Sequence, residues 1–187
     1  MTVSITPSRF TPDDVLDLED EGLFELVDGK LVEKKLGALA AETAGVIAGR
    51  LFIYLQHNHA GKFYNEQTYR CFPHDPGLIR RPDISFVAED RLSGVPDEGH
   101  TPIAPDLAIE VVSPTDRIYD LDRKLKDYRS AGAKCVWVVN PESRILRVYG
   151  PDSSLIELAE TDTITGGNVL PGFSIPVKDL LPPIKSS

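Results

Sequence analysis

The sequence predicts an α/β (α+β) domain with a central mixed β-sheet flanked by helices. Three observations predict it. The apolar run LAIEVV (107–112), the helical stretch RIYDLDRKLKDYRSA and the apolar run CVWVV follow one another as strand, helix and strand, which is a crossover joining two parallel strands. Asp28-Gly29 sits between two alternating runs and signals a tight hairpin. Two alternating runs after residue 143, RILRVYG and SLIELAE, read as outer antiparallel strands.

Taken in order, TPDDVLDLEDEG predicts a short helix. Thr11 caps it, Asp13 and Asp14 suit its positive first turn, and Gly22 ends it. LFELVDGKLVEKK is the hairpin. From Ala38 to Gln56 apolar residues run nearly all round a helix, which predicts burial between the sheet and a second layer or subunit. Gly45 and Gly49, one turn apart, would let another backbone come close. Glu42 and Arg50 interrupt this stretch, so a core helix is expected and not a membrane span. KFYNEQTYRCF reads as a strand, HDPG as a turn, and Ile84 to Val87 as a strand after RRPD. RLSGVPDEGHTPIAP is a breaker-rich loop. In the helix after the LAIEVV strand, Tyr119, Leu125, Tyr128 and Ala131 are expected along one side, with Gly132 as the stop. NVLPGFSIPVKDLL closes the domain with a short strand and turn. One domain over 8–181 with a loose tail at 182–187 is the expected organisation.

The chain of 187 residues carries 29 acidic against 20 basic residues, a net charge of −9, which argues against binding nucleic acid through bulk charge. MTVSITPSRF has neither the basic start nor the apolar segment of a signal peptide. Cys71 and Cys135 have no metal-ligand spacing, and Cys135 reads as a buried free thiol. A cytoplasmic protein is the expectation.

Glu110 is the residue that asks for an explanation. A carboxylate at the centre of an apolar strand costs several kcal/mol or so without a partner. Alternation sets Ala108, Glu110 and Val112 on one face. Asp83 opens the preceding apolar strand. If the two strands are neighbours, both carboxylates converge within reach of a hard divalent cation such as Mg²⁺, which needs only one or two of them. Asp120, Lys124 and Tyr128 fall at i, i+4 and i+8 on the following helix, so Lys124 can reach back to the acids. Its ammonium would orient or help deprotonate a water and would stabilise phosphate charge.

Pro82-Asp83, followed after a gap of 26 residues by Glu110-Val111-Val112, resembles the PD-(D/E)XK nuclease signature. In order, FELVDGKLV, RRPDISFV, LAIEVVSPTD, DLDRKLKDYRSAG and VWVVNP resemble the Uma2-like putative restriction endonuclease family of bacteria, over roughly residues 8 to 181. The resemblance implies a restriction-endonuclease-like core, Mg²⁺ or Mn²⁺, and hydrolysis of DNA phosphodiester bonds. It makes Asp83 and Glu110 metal ligands and catalytic residues. Where the plain signature has a strand lysine this chain has Val112, and the resemblance puts the amine on the next helix, as Lys124. It also carries a possible homodimer, since cutting a duplex takes two centres.

Other readings stand beside these. Glu42 is either an accessory acid at the metal or a paired buried glutamate. Asp106 is a strand start or a further ligand. Arg80 and Arg81 touch phosphates or charge an exposed strand edge. Tyr128 packs. His57-Asn58-His59 is a solvated loop. A non-catalytic interaction module on the same fold is the alternative function, and calorimetric titration with Mg²⁺ or Mn²⁺ separates it from the nuclease.

Overall fold

In the computed structural model, which describes residues 9–35, 37–114 and 116–184, the crossover forms the middle of a six-stranded sheet. The elements that build it are α1 (Pro12–Asp17), β1 (Phe24–Val27), β2 (Lys30–Glu33), α2 (Ala38–His57), β3 (Gly61–Asn65), β4 (Ile84–Ala88), β5 (Leu107–Val111), α3 (Ile118–Ala131), β6 (Cys135–Asn140), β7 (Ile145–Tyr149) and β8 (Leu155–Ala159). A small pair, β9 (Thr163–Thr165) with β10 (Ser174–Pro176), follows. The sheet order is β3-β4-β5-β6-β7-β8, and only the β5–β6 pair is parallel, as a helical crossover dictates. The mixed sheet with helices is therefore as the sequence predicts.

Two cores lie on the two faces of β5. Leu107, Ile109 and Val111 pack with Ile84, Phe86 and Trp137 beneath the buried stripe of α2, which includes Ile47 and Leu51. Ala108 faces the other way, with Val136, Val138, and Leu125 and Tyr128 of α3. Alternation along β5 thus puts Glu110 on the α3 side. Gly132 ends α3 in the left-handed conformation (φ 98°), where a side chain would be strained.

The hairpin β1–β2 turns through Asp28 (φ 54°) and Gly29 (φ 75°), the two positive φ values that a tight primed turn needs. It stands outside the main sheet. Leu26 exchanges two backbone hydrogen bonds with Ile79, at 3.1 and 2.9 Å, and packs with Val15 and Ile79 in a third, small core. Thr11 caps α1 with Asp14 in a reciprocal box, but the helix closes at Asp17, several residues before Gly22.

Several expectations give way to tertiary packing. The strand expected over KFYNEQTYRCF stops at Asn65, because Glu66 takes a positive φ of 52° and turns the chain away. Tyr119 faces solvent, 83% exposed, while Leu125 and Tyr128 turn inward. Gly45 and Gly49 have open space where a Cβ would stand, so no other part of the described chain approaches α2 there. Glu42 is on the exposed side of α2. By length and composition α2 could cross a membrane, but here one stripe of it packs on the sheet. Pro182 in the expected tail is buried and its carbonyl accepts a hydrogen bond from Arg144. The expected domain start at residue 8, residues 185–187 of the tail and Thr115 lie outside the described residues.

Candidate active site

The β4–β5 register sets Ile84 against Ile109 in antiparallel pairing, so the next residues outward, Asp83 and Glu110, stand opposite each other. Residues opposite one another in an antiparallel pair point to the same face. Both are almost wholly buried and both line one cavity of about 410 Å³. The sequence reading of these strands as neighbours with converging acids is what the structure shows.

Each acid has its own lysine. Lys124 reaches back from α3 to place Nζ 3.1 Å from Glu110 Oε2 and 3.0 Å from Glu25 Oε1. Lys34, just past β2, places Nζ 2.8 Å from Asp83 Oδ1 and 3.0 Å from Glu66 Oε2, and donates to the Arg81 carbonyl at 2.7 Å. The second oxygen of each acid is also held. Asp83 Oδ2 accepts from the Val111 backbone N–H at 2.5 Å, and Glu110 Oε1 accepts from the Tyr128 hydroxyl at 2.7 Å. The tyrosine does more than pack: it fixes the rotamer of Glu110.

Behind the lysines, Arg80 forms the floor. Its Nη1 lies 2.8 Å from Glu25 Oε2, while Nε and Nη2 reach Asp127 Oδ2 at 2.8 and 2.6 Å. Arg81 donates its backbone N–H to Glu25 Oε1 at 3.0 Å and its guanidinium to Glu19 at 3.2 Å. Both arginines are buried, 3% and 5% exposed. Both are tied into the protein by carboxylates, Arg80 also lines the cavity, and their burial rules out the exposed-edge reading.

The electrostatics follow from this packing. Burial disfavours the charge on Lys124, but Glu110 and Glu25 outweigh it and hold the ammonium protonated well above its ordinary range. Burial is likewise overcome at Lys34, by Asp83 and Glu110. Burial works against Glu25 as well, yet Lys124, Arg80 and Lys34 bring its carboxyl down to about 2. At Glu110 burial wins and the carboxyl is raised above the ordinary range. At Glu66 burial lifts it to about 7 against the pull of Lys34.

The charge count explains the last two. Five buried or half-buried carboxylates (Glu25, Glu66, Asp83, Glu110 and Asp127) share three permanent cations, Lys34, Arg80 and Lys124, with the His74 ring 3.1 Å from Asp127 Oδ1, so two negative charges are in surplus when all five are ionised and His74 is neutral. Either protons or a divalent cation neutralises that surplus. The donor set suits a hard ion: carboxylate oxygens keep lone pairs free beyond the one each has given to a donor. Among the described residues no three His, Cys, Asp or Glu side chains converge as a ready cage, and Asp83 and Glu110 are the pair of carboxylates that would hold a hard ion needing only one or two of them.

The other candidates lie elsewhere. Glu42 is exposed and does not line the cavity. Asp106, at the far end of β5, is paired with Arg91 at 2.9 Å and Lys134 at 2.7 Å and accepts the Ala88 N–H at 2.8 Å. His57, Asn58 and His59 are exposed at the end of α2. Cys135 is half-buried, and burial pushes its thiol up to about 11. Lys34 and Glu25 are the site residues that motif reading missed. Glu25 carried a signal, since it is a carboxylate inside the apolar run FELV, as Glu110 is inside LAIEVV.

The comparisons bear on the family and on the fold. The family model described as "Putative restriction endonuclease" matches residues 12–178. A crystal structure titled as a putative nuclease belonging to DUF820 from Anabaena variabilis ATCC 29413 superposes with a TM-score of 0.75 at 20% identity, covering 91% of this chain and 97% of that one. A search of curated proteins returns no match.

Proposed function

The chain belongs to the putative restriction endonuclease family, Uma2, and from that premise we propose that it is a divalent-metal-dependent endonuclease that hydrolyses DNA phosphodiester bonds. One observation carries the reading: Asp83 and Glu110 face one cavity from adjacent antiparallel strands, each with a lysine ammonium within about 3 Å.

Asp83 and Glu110 are the residues that would hold Mg²⁺ or Mn²⁺. A divalent cation there supplies Lewis acidity at the phosphate and the attacking water. The protein's own groups do the rest. Val111 N–H and Tyr128 O–H fix the two carboxylates in orientation. Glu110 and Glu25 favour the ammonium form of Lys124, which would position the nucleophile and stabilise negative charge on the phosphate. Lys34 supplies the same positive field on the Asp83 side. A homodimer with one centre per strand is the assembly this function calls for, and the exposed side of α2, with Leu39, Phe52 and Ile53, is the surface available for it.

A non-catalytic module has one observation in its favour, that all four oxygens of Asp83 and Glu110 already have donors within the chain. The two readings separate in one experiment. Metal-free protein is titrated with Mg²⁺ or Mn²⁺ in a calorimeter, its mass is read by light scattering, and cleavage of several DNA forms is followed. Heat of binding and cleavage that vanish in Asp83→Ala and Glu110→Ala support the nuclease. Cleavage that survives either substitution refutes this mechanism, and no uptake of either metal supports the module.

A further inference from the structure

Four donors hold the oxygens of Asp83 and Glu110, and one of them has another place to go. The Val111 N–H on Asp83 Oδ2 is part of β5. The Tyr128 hydroxyl and the Lys124 ammonium on Glu110 come from α3, and Lys124 is also held by Glu25, which Arg80 and the Arg81 N–H fix in the interior. Lys34 is placed differently. It follows β2, in the hairpin outside the main sheet, and its long flexible stem lets Nζ move while the backbone stays. Its ammonium sits among three oxygens of other segments: Asp83 Oδ1 at 2.8 Å, the Arg81 carbonyl at 2.7 Å and Glu66 Oε2 at 3.0 Å. Oxygens gathered around one positive charge are the surroundings a hard cation takes, and here an ammonium fills them.

The Lys34–Glu66 pair is also a partition between two cavities. Lys34 lines the one that holds Asp83 and Glu110, and Glu66 lines a second of about 270 Å³. Four carboxylates line the second cavity, Glu19, Glu66, Asp97 and Glu98, and no lysine or arginine does among the described residues. Arg81 answers Glu19, whereas Asp97 and Glu98 have no ion pair among the described residues. Glu66 is the less buried of the two acids on Lys34, 21% exposed against 4% for Asp83. An ammonium that leaves Asp83 on this side keeps one carboxylate and moves toward further negative charge.

Two cations drawn to one carboxylate oxygen repel each other, and a buried site screens that repulsion little. We propose that Lys34 is a tethered competitor of the divalent cation: its ammonium and the ion exclude each other at Asp83 Oδ1, and on metal uptake Glu66 keeps the ammonium on the side of the second cavity. This rests on the reading of Asp83 and Glu110 as metal ligands. Lys34 thereby sets the affinity of the site. A divalent ion brings twice the charge of the ammonium it displaces, whereas a monovalent ion brings no more and lacks the tether, so the exchange selects for divalent ions. The Val111 and Tyr128 donors stay in place throughout, and both carboxylates keep their orientation.

The test uses the full chain, freed of metal, at pH 8. Calorimetry reads Mn²⁺ uptake by wild type and by Lys34→Met. The variant is expected to bind Mn²⁺ about 5- to 150-fold more tightly, the span over which two sites of one protein are coupled. The same factor should return in urea denaturation, where saturating Mn²⁺ stabilises the variant more than wild type by about 1.4 kcal/mol for every tenfold. A second measurement needs no variant. Wild type is treated with limiting acetic anhydride in EDTA and in Mn²⁺, and the acetylated lysines are located by mass spectrometry. Lys34 is expected to label several-fold faster with Mn²⁺. Lys124, which keeps Glu25, stays protected, and Lys35, 80% exposed, labels alike in both. A metal that merely altered the field would change Lys124 along with Lys34. Equal or weaker Mn²⁺ binding by Lys34→Met, or labelling of Lys34 that Mn²⁺ leaves unchanged or raises only together with Lys124, refutes the role of Lys34 while the metal reading stands. If the variant does not fold, the labelling of wild type decides. If neither protein takes up Mn²⁺, the metal reading fails and this inference with it.

Discussion

Lys34→Met removes the cation that compensates two carboxylates without removing the side chain's apolar stem. In the folded protein Lys34 is 10% exposed and its ammonium touches Asp83 Oδ1, Glu66 Oε2 and the Arg81 carbonyl. Taking one partner from a buried pair strands the other and costs about 3–5 kcal/mol. The two acids respond differently. Asp83 keeps the Val111 N–H, whereas Glu66 loses the cation that pulls its carboxyl down. Burial already lifts Glu66 to about 7, above its ordinary value of 4.5. The folded chain therefore holds a proton that the unfolded chain releases, and the stability linked to this group is full below the unfolded value and declines as pH rises through about 7. Without Lys34 the carboxyl titrates higher still and the decline moves upward. Urea denaturation in EDTA at pH 5 and pH 8, wild type against variant, reads the effect. The deficit should be about 3–5 kcal/mol at pH 8 and should be smaller by about 1 kcal/mol at pH 5, where Glu66 holds its proton with or without Lys34. An equal deficit at both pH values, or a variant within about 1 kcal/mol of wild type at pH 8, refutes the assignment of Lys34 as the compensating charge.

Tyr128→Phe takes the 2.7 Å donor from Glu110 Oε1 and leaves a buried carboxylate oxygen unsatisfied; a loss of about 1–3 kcal/mol in chemical denaturation is expected, together with weaker Mn²⁺ binding by calorimetry because the rotamer of Glu110 is no longer fixed. Gly61→Ala puts a Cβ 2.1 Å from the Val87 carbonyl oxygen at a φ of 148°, where neither backbone can yield, so β3 should detach from β4 with a loss of about 2 kcal/mol or more, read as a lower thermal midpoint and faster amide exchange along β3.

The parts of the site on the crossover were legible because local chemistry decides them. Glu110 stands out against LAIEVV, alternation fixes its face, and a helix returning over a parallel pair must bring residues such as Lys124 and Tyr128 back over the strand. Lys34 and Glu25 were not found, because they lie on a two-stranded hairpin that stands apart from the sheet, and hairpin chemistry fixes its turn but not where it docks. Tyr119 was placed inside by helical spacing, yet α3 turns a narrower stripe inward, and the neighbour four residues on is Arg123 at the cavity rim. Arg80 and Arg81 follow a similar logic. Two arginines before an acidic residue look like surface charge, and only the three-dimensional meeting of β1 and α3 around Arg80, and of Glu19 with Arg81, supplies their carboxylates.

That meeting has a consequence for how the site works. Three separate pieces contribute to it: the hairpin brings Glu25 and Lys34, β4 and β5 bring Asp83 and Glu110, and α3 brings Lys124 and Tyr128. Arg80 ties all three, since it sits in the segment leading into β4 and holds Glu25 of the hairpin and Asp127 of α3 at once. The hairpin's apolar contacts are modest, Leu26 with Val15 and Ile79, partly buried Phe24 and Leu31 beside them and Val27 against the α3-side core, so its position depends also on this charge network and on the two backbone bonds to Ile79. A change in the network's charge therefore moves the hairpin and, with it, Lys34 over Asp83. The surplus of two negative charges then has a structural meaning: left unneutralised, the carboxylates of three pieces repel one another across a small core, and a divalent cation bound as proposed would also draw the pieces of the site together.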